Sequence, residues 1–156
     1  MKILIKSRQW IEEHSTTPFE DDVALISISD CDLDFAKLTY KPQNLIQVKF
    51  NDVDSDIFFD EFNRKLPIED IKRIKLKYSM SSGTIAKQIA NFYFSIEHNA
   101  KILICQCEHG QSRSAAIAAA IMQYRSKNGI DIFSHDKYYP NKYVFRKMLR
   151  YLNENK

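Results

Sequence analysis

The sequence predicts an α/β domain: a central, mostly parallel sheet flanked by helices on both faces. Three observations predict it. Short apolar runs at 2–6, 23–28, 45–50 and 102–105 have the length and composition of strands, and longer stretches of helical spacing separate them. The run at 102–105 lies between two such stretches, which suits a strand buried by helices on both sides. The segments that follow three of the runs, beginning near Asp30, Asp52 and Cys107, are polar and rich in reactive side chains. Open α/β sheets bind ligands at the C-terminal ends of their strands, so these three loops can converge.

Taken in order, Lys2 to Lys6 reads as a first strand, and Ser7 as the cap of a brief helix through Trp10 and Ile11 that ends before Pro18. Trp10 reads as a core or lid anchor. Val23 to Ile28 is β-branched and apolar, a strand, and Ser29 to Asp34 is its C-terminal loop. Asp30, Asp32 and Asp34 alternate there but lack the glycine and acidic positions of a calcium loop, so they read as a solvated turn. Leu45 to Phe50 is the next strand and runs into Asn51-Asp-Val-Asp-Ser-Asp56. Ile57, Phe58, Phe59 and Phe62 suggest a short amphipathic helix or a packed loop. Ile71 to Tyr78 mixes apolar and basic residues and reads as a solvated face over a small contact. Ser81-Ser-Gly-Thr84 opens a helix in which Ile85, Ile89, Phe92 and Ile96 form one buried stripe, ending at Asn99. After the Ala-rich run, Lys127-Asn-Gly129 is a stop signal. Phe133 to Asn141 is a polar and aromatic loop, and a last helix carries Tyr143, Val144, Met148, Leu149 and Leu152. Asn141 reads as its cap or as a loop brace.

Composition bounds the reading. With 156 residues the chain suffices for one domain, 1–156, around a single core. Hydrophobic residues at 44% and charged residues at 28% argue for a globular fold over disorder. A net charge of +3 and a pI near 8.7 suit anionic substrates without marking a nucleic-acid binder. No apolar run approaches the roughly 18 residues of a membrane span. Met1 to Lys6 turns polar too soon for a signal peptide. Three cysteines, with no CxxC pair, fit a reducing compartment, and cytoplasmic localisation is expected.

The stretch that organises the chain is Ile102-Leu-Ile-Cys-Gln-Cys-Glu-His-Gly-Gln-Ser-Arg-Ser114, followed by Ala115-Ala-Ile-Ala-Ala-Ala-Ile121. An apolar strand turns through a small polar loop into a strong helix former. Unpaired N–H groups and the helix dipole then make the loop an anion site. Cys107 opens the loop and Arg113 closes it. A thiol at a helix N-terminus beside a guanidinium has its thiolate form favoured. Arg113 has a planar fork that can hold two oxygens of a phosphate. Gly110 lets the backbone curl around a tetrahedral oxyanion. Ser114 places a hydroxyl within reach of the Cys107 sulfur.

Cys-Glu-His-Gly-Gln-Ser-Arg-Ser resembles the C-x5-R-[S/T] signature of the cysteine-based protein tyrosine and dual-specificity phosphatases. The preceding strand, the glycine, the Ser-Arg-Ser and the Ala-rich helix all match that family. The Pro-Asn pair before the last helix resembles its small bacterial and viral members. The likeness runs from about Val23 to Leu152, with only the signature specific. It implies a phosphatase-like fold with strand, phosphate loop and helix. It implies cysteine-dependent hydrolysis of phosphomonoesters on phosphorylated proteins, without metal or organic cofactor.

By the same resemblance, Cys107 is the nucleophile. The backbone of Glu108, His109, Gly110, Gln111, Ser112 and Arg113 binds phosphate, Ser114 assists the departing thiolate, and a carboxylic acid protonates the leaving group. The family's acid follows a strand and precedes the helix before the signature strand. Phe50-Asn-Asp52 matches that place, so Asp52 is chosen, with Asp54 and Asp56 as alternatives. Gln106 departs from the family, which usually has His there. Glu108 is expected to point outward and His109 to sit on the rim. Cys105 reads as a small core residue; Cys105 or Cys31 is also a candidate resolving thiol for an oxidised Cys107. Two other functions share the loop: a phosphate-binding protein without turnover, and an RNA 5′-phosphatase. The second needs a continuous basic channel, for which Lys72 to Lys77 is thin support.

Overall fold

The strands form one parallel sheet in the order β1 (Lys2–Ser7), β4 (Ile102–Cys107), β2 (Val23–Ser29), β3 (Asn44–Lys49). The computed structural model describes residues 1–53, 64–78, 80 and 83–154. All three pairings are parallel, so "mostly parallel" sharpens to all-parallel among the described strands. Among the described residues six helices accompany them: α1 (Arg8–His14), α2 (Ile68–Tyr78), α3 (Thr84–Ile96), α4 (Arg113–Ser126), α5 (Ile130–Phe133) and α6 (Lys142–Glu154).

Every residue of β2 is buried, as expected of a strand with neighbours on both edges and cover on both faces. On one face, Ala24, Ile26, Ile28, Leu103, Cys105 and Cys107 join a large core with α3, α4 and α6. On the other, Val23, Leu25 and Ile104 pack with Ile11 of α1 and with Ala36. Helices therefore cover both faces, thinly on the second.

α4 is buried from Arg113 to Ile121, so it has no polar face to turn outward. Its alanines allow close approach to the sheet and to α6, which contributes Val144, Met148 and Leu152 at four-residue spacing. α3 is rotated from the stripe read in the sequence. Its buried residues are Ala86, Ile89, Ala90, Tyr93 and Ile96, while Ile85 and Phe92 are only partly covered. Small Ala86 and Ala90 let the helix sit close to the core, and that selects their face over the bulkier one.

Ser7 caps α1 as expected, its Oγ accepting from the Trp10 N–H at 3.2 Å. Trp10 is half-buried, packed against the smaller core with Ile11 and stacked on His14 with ring centroids 4.3 Å apart. The 71–78 segment is helical, within α2. α4 stops at Ser126 with Lys127 in the left-handed region at φ 60°, and α5 is a turn of helix between that stop signal and the segment read as loop from Phe133. Among the described residues no helix is long and apolar enough to cross a membrane. The readings at Asp54, Asp56, 57–62 and Ser81–Ser82 lie outside the described residues.

Candidate functional site at the C-terminal end of β4

β1 and β4 are neighbours, yet the helices that follow them lie on opposite faces of the sheet. Such a switch point opens a crevice beyond the strand ends. Ser7 and Cys107 are register partners at that edge, so the loop from Cys107 to Ser112 begins there.

Gly110 has φ +68°, and a Cβ on it would lie 2.6 Å from the Lys6 carbonyl carbon and 2.7 Å from the Ser7 nitrogen. Backbone cannot yield, so both the conformation and the contact with β1 require glycine. The Glu108 carbonyl accepts from the Arg8 N–H at 3.1 Å, and the Glu108 carboxylate turns outward to the Arg8 guanidinium at 3.4 Å. His109 is exposed on the rim, as read from the sequence.

Cys107 is 2% exposed, and its Sγ lies 3.1 Å from the Ser114 Oγ. Arg113 is 4% exposed. Its Nη1 donates to the Phe50 carbonyl at 2.6 Å and pairs with Asp30 Oδ1 at 2.5 Å. The opposite side of the guanidinium carries Nε, which is buried and has no hydrogen-bond partner among the described residues. The backbone N–H groups of His109 to Arg113 also find no acceptor among the described residues. The first intrahelical bond runs from the Ala116 N–H to the Ser112 carbonyl at 2.8 Å. A cluster of such donors at a helix N-terminus has the chemistry to accept an oxyanion.

Ser112 does not cap α4 with its side chain, because its Oγ donates to Asp52 Oδ1 at 2.8 Å. The same carboxylate oxygen accepts from Asn141 Nδ2 at 2.8 Å. Asn141 Oδ1 accepts from the Val144 N–H at 3.0 Å, so Asn141 is both the cap of α6 and a brace on the Asp52 loop. The Tyr139 N–H donates to the Gln111 carbonyl at 2.9 Å and ties the loop to the segment before α6.

Four residues singled out in the sequence meet here, and one other reading is corrected. Cys107, Arg113 and Ser114 come together, and Asp52 reaches the end of the loop at Ser112. Asp30, read as a solvated turn residue, is the ion-pair partner of Arg113. Parallel pairing of β2 beside β4 brings its strand end to the loop, and the sequence carries no local signal of that. Gln106 is fully buried on the opposite side of β4 from Cys107, with Oε1 accepting from the Ser27 Oγ at 2.7 Å and Nε2 without a partner among the described residues. Burial pushes the Cys105 thiol far above its ordinary value, and the nearby Cys107 adds to this. It therefore stays a neutral core residue behind the loop. Cys31 is exposed after β2. No protein-family model matches the chain, and no curated protein matches it in sequence.

Proposed function

We propose that this chain hydrolyses phosphomonoesters through a cysteinyl-phosphate, as its resemblance to the cysteine-based tyrosine and dual-specificity phosphatases implies. The substrates of this reading are phosphorylated proteins, phosphotyrosine first and phosphoserine or phosphothreonine second, in the cytoplasm. The observation that carries it is the buried Arg113 Nε, without a partner among the described residues, at the end of the loop that carries the Cys107–Ser114 pair and whose N–H groups from His109 to Arg113 find no acceptor among those residues. Donors without acceptors favour a ligand made of acceptors, and phosphate is one.

In the first step the Cys107 sulfur attacks phosphorus, an S–P bond forms and the bond to the leaving oxygen breaks. Arg113 and the N–H groups from Glu108 to Arg113 hold the three equatorial oxygens and spread their charge. Asp52 gives its proton to the leaving oxygen. Its Oδ1 already accepts two hydrogen bonds, so the proton belongs on the other oxygen. In the second step Asp52 takes a proton from water, the water oxygen bonds to phosphorus and the S–P bond breaks. Ser114 donates to the departing thiolate.

Phosphate binding without turnover is the second reading, favoured by the two bonds that hold Asp52 to Ser112 and Asn141. Hydrolysis of para-nitrophenyl phosphate across pH separates the two. The first reading expects metal-independent turnover, abolished in Cys107→Ser and strongly reduced in Asp52→Asn. Absence of turnover with retained phosphate binding selects the second.

A further inference from the structure

Next to the loop lies a cleft that meets it at His109 and Gly110 and is not lined by Cys107, Arg113 or Ser114. A hollow of about 160 Å³ is lined by Lys6, Ser7, Trp10, His109, Gly110 and Lys137, among others. A second hollow of about 230 Å³ shares Lys6 and Lys137 and follows β1, an end strand among the described residues, toward Ile3 and Tyr138. The Lys6 ammonium sits 4.3 Å from the Trp10 ring centroid, and the Lys137 ammonium 5.6 Å from that of Tyr138. An aromatic face holds a cation in place without cancelling its charge. Neither ammonium has a carboxylate partner among the described residues. The loop's own carboxylate, Glu108, is held away by Arg8.

We propose that this cleft is a recognition subsite for an acidic group, carboxylate or phosphoryl, on the substrate peptide beside the phosphorylated residue. The name of the substrate rests on the phosphatase reading; the affinity for the acidic group does not. The smaller hollow, at about 160 Å³, has room for one such group. Two ammonium groups and a net charge of +3 fit a local acidic contact, and they are too few for a nucleic-acid channel. The larger hollow gives the flanking peptide a path along the outer edge of β1.

Trp10 is the chain's single tryptophan, so its fluorescence reports occupancy of the cleft. The full chain carrying Cys107→Ser is titrated with two phosphotyrosine peptides that differ only in acidic or neutral flanking residues. The acidic peptide should bind about tenfold more tightly, a contribution of two partly exposed ion pairs. That advantage should fall toward unity in Lys137→Gln and in the Lys6→Gln/Lys137→Gln pair, and at high salt. Lys137→Gln lies outside the sheet and separates lost recognition from lost folding of β1. Equal binding of the two peptides, or an advantage that survives both variants, overturns the proposal. So does a single-stranded RNA that binds more tightly than either peptide with a steep salt slope. Turnover of para-nitrophenyl phosphate by the native chain is measured beside it. Its absence with the acidic preference intact removes the phosphatase reading and leaves the subsite standing; turnover without the preference does the reverse.

Discussion

Arg113 Nη1 lies 2.5 Å from Asp30 Oδ1 and is thereby fixed at the end of the sheet, with Nε on the opposite side of the guanidinium. The two residues come from the ends of different elements, the loop after β2 and the start of α4. Asp30 is 31% exposed in its side chain, whereas Arg113 is buried, so the pair anchors a buried cation from the solvent side. We therefore assign Asp30 as a positioning residue for Arg113.

Asp30→Ala should lower kcat roughly ten- to a hundredfold, the scale of a misplaced binding group. It should leave the inhibition constant for inorganic phosphate unchanged or improved, because a negative charge has gone. Asp30→Asn keeps an acceptor and should lose less. Steady-state kinetics with phosphate as inhibitor reads both constants, and an unaltered kcat in Asp30→Ala would show that Phe50 alone orients the guanidinium.

Asn141 serves two partners, and two substitutions separate them. Asn141→Ala removes the α6 cap and should cost about 1 kcal/mol of stability from the cap alone. Asn141→Asp keeps the cap acceptor but loses the donor to Asp52 and sets a like charge against it. Turnover should fall in both, while urea unfolding should show the larger stability loss in the alanine variant. An aspartate variant with full turnover would remove the brace from the mechanism.

Stability should decline on both sides of neutrality, for reasons tied to named groups. Burial raises Cys105 above its ordinary value of 9.0, and burial followed by the charge of Glu97 raises Tyr93 above 10.0. Unfolding frees both protons at alkaline pH, so their contribution is complete below about pH 9 and declines above it. Cys105→Ala should flatten that alkaline limb. Glu12 is shifted the other way, first by the Lys37 N–H that donates to it and also by Arg8. Its contribution is present above its ordinary value of 4.5 and is lost as pH falls below it. Thermal melts from pH 4 to 10.5 check both limbs, and identical alkaline limbs for the native chain and Cys105→Ala would contradict the first.

Contiguity decided what the sequence showed. Cys107, Gly110, Arg113 and Ser114 lie in one strand–loop–helix run, so local spacing alone brings them together. The caps at Ser7 and Asn141 were legible for the same reason, each being a short-range contact. Convergence of the Asp30 loop was expected because it too follows a strand, but its ion pair with Arg113 was not legible, since an Asp-rich turn carries no mark of a distant partner. Of the stripe read in α3, Ile89 and Ile96 are buried, while Ala86, Ala90 and Tyr93 take the place of Ile85 and Phe92. Ile85-Ile89-Phe92-Ile96 and Ala86-Ile89-Ala90-Tyr93-Ile96 both satisfy helical spacing, and packing against the core chooses the second. The cleft at Lys6 and Lys137 joins the first strand to the segment after α5, a pairing no local pattern encodes.

Trapping the intermediate tests the central claim most directly. The native chain is mixed with a radiolabelled phosphotyrosine peptide, quenched within milliseconds in acid, digested and analysed by mass spectrometry. The account predicts acid-stable label on the peptide carrying Cys107, increased in Asp52→Asn if the second step is slowed more than the first, and absent in Cys107→Ser. Phosphate released at the native rate by Cys107→Ser, or label found on a residue other than Cys107, would contradict it.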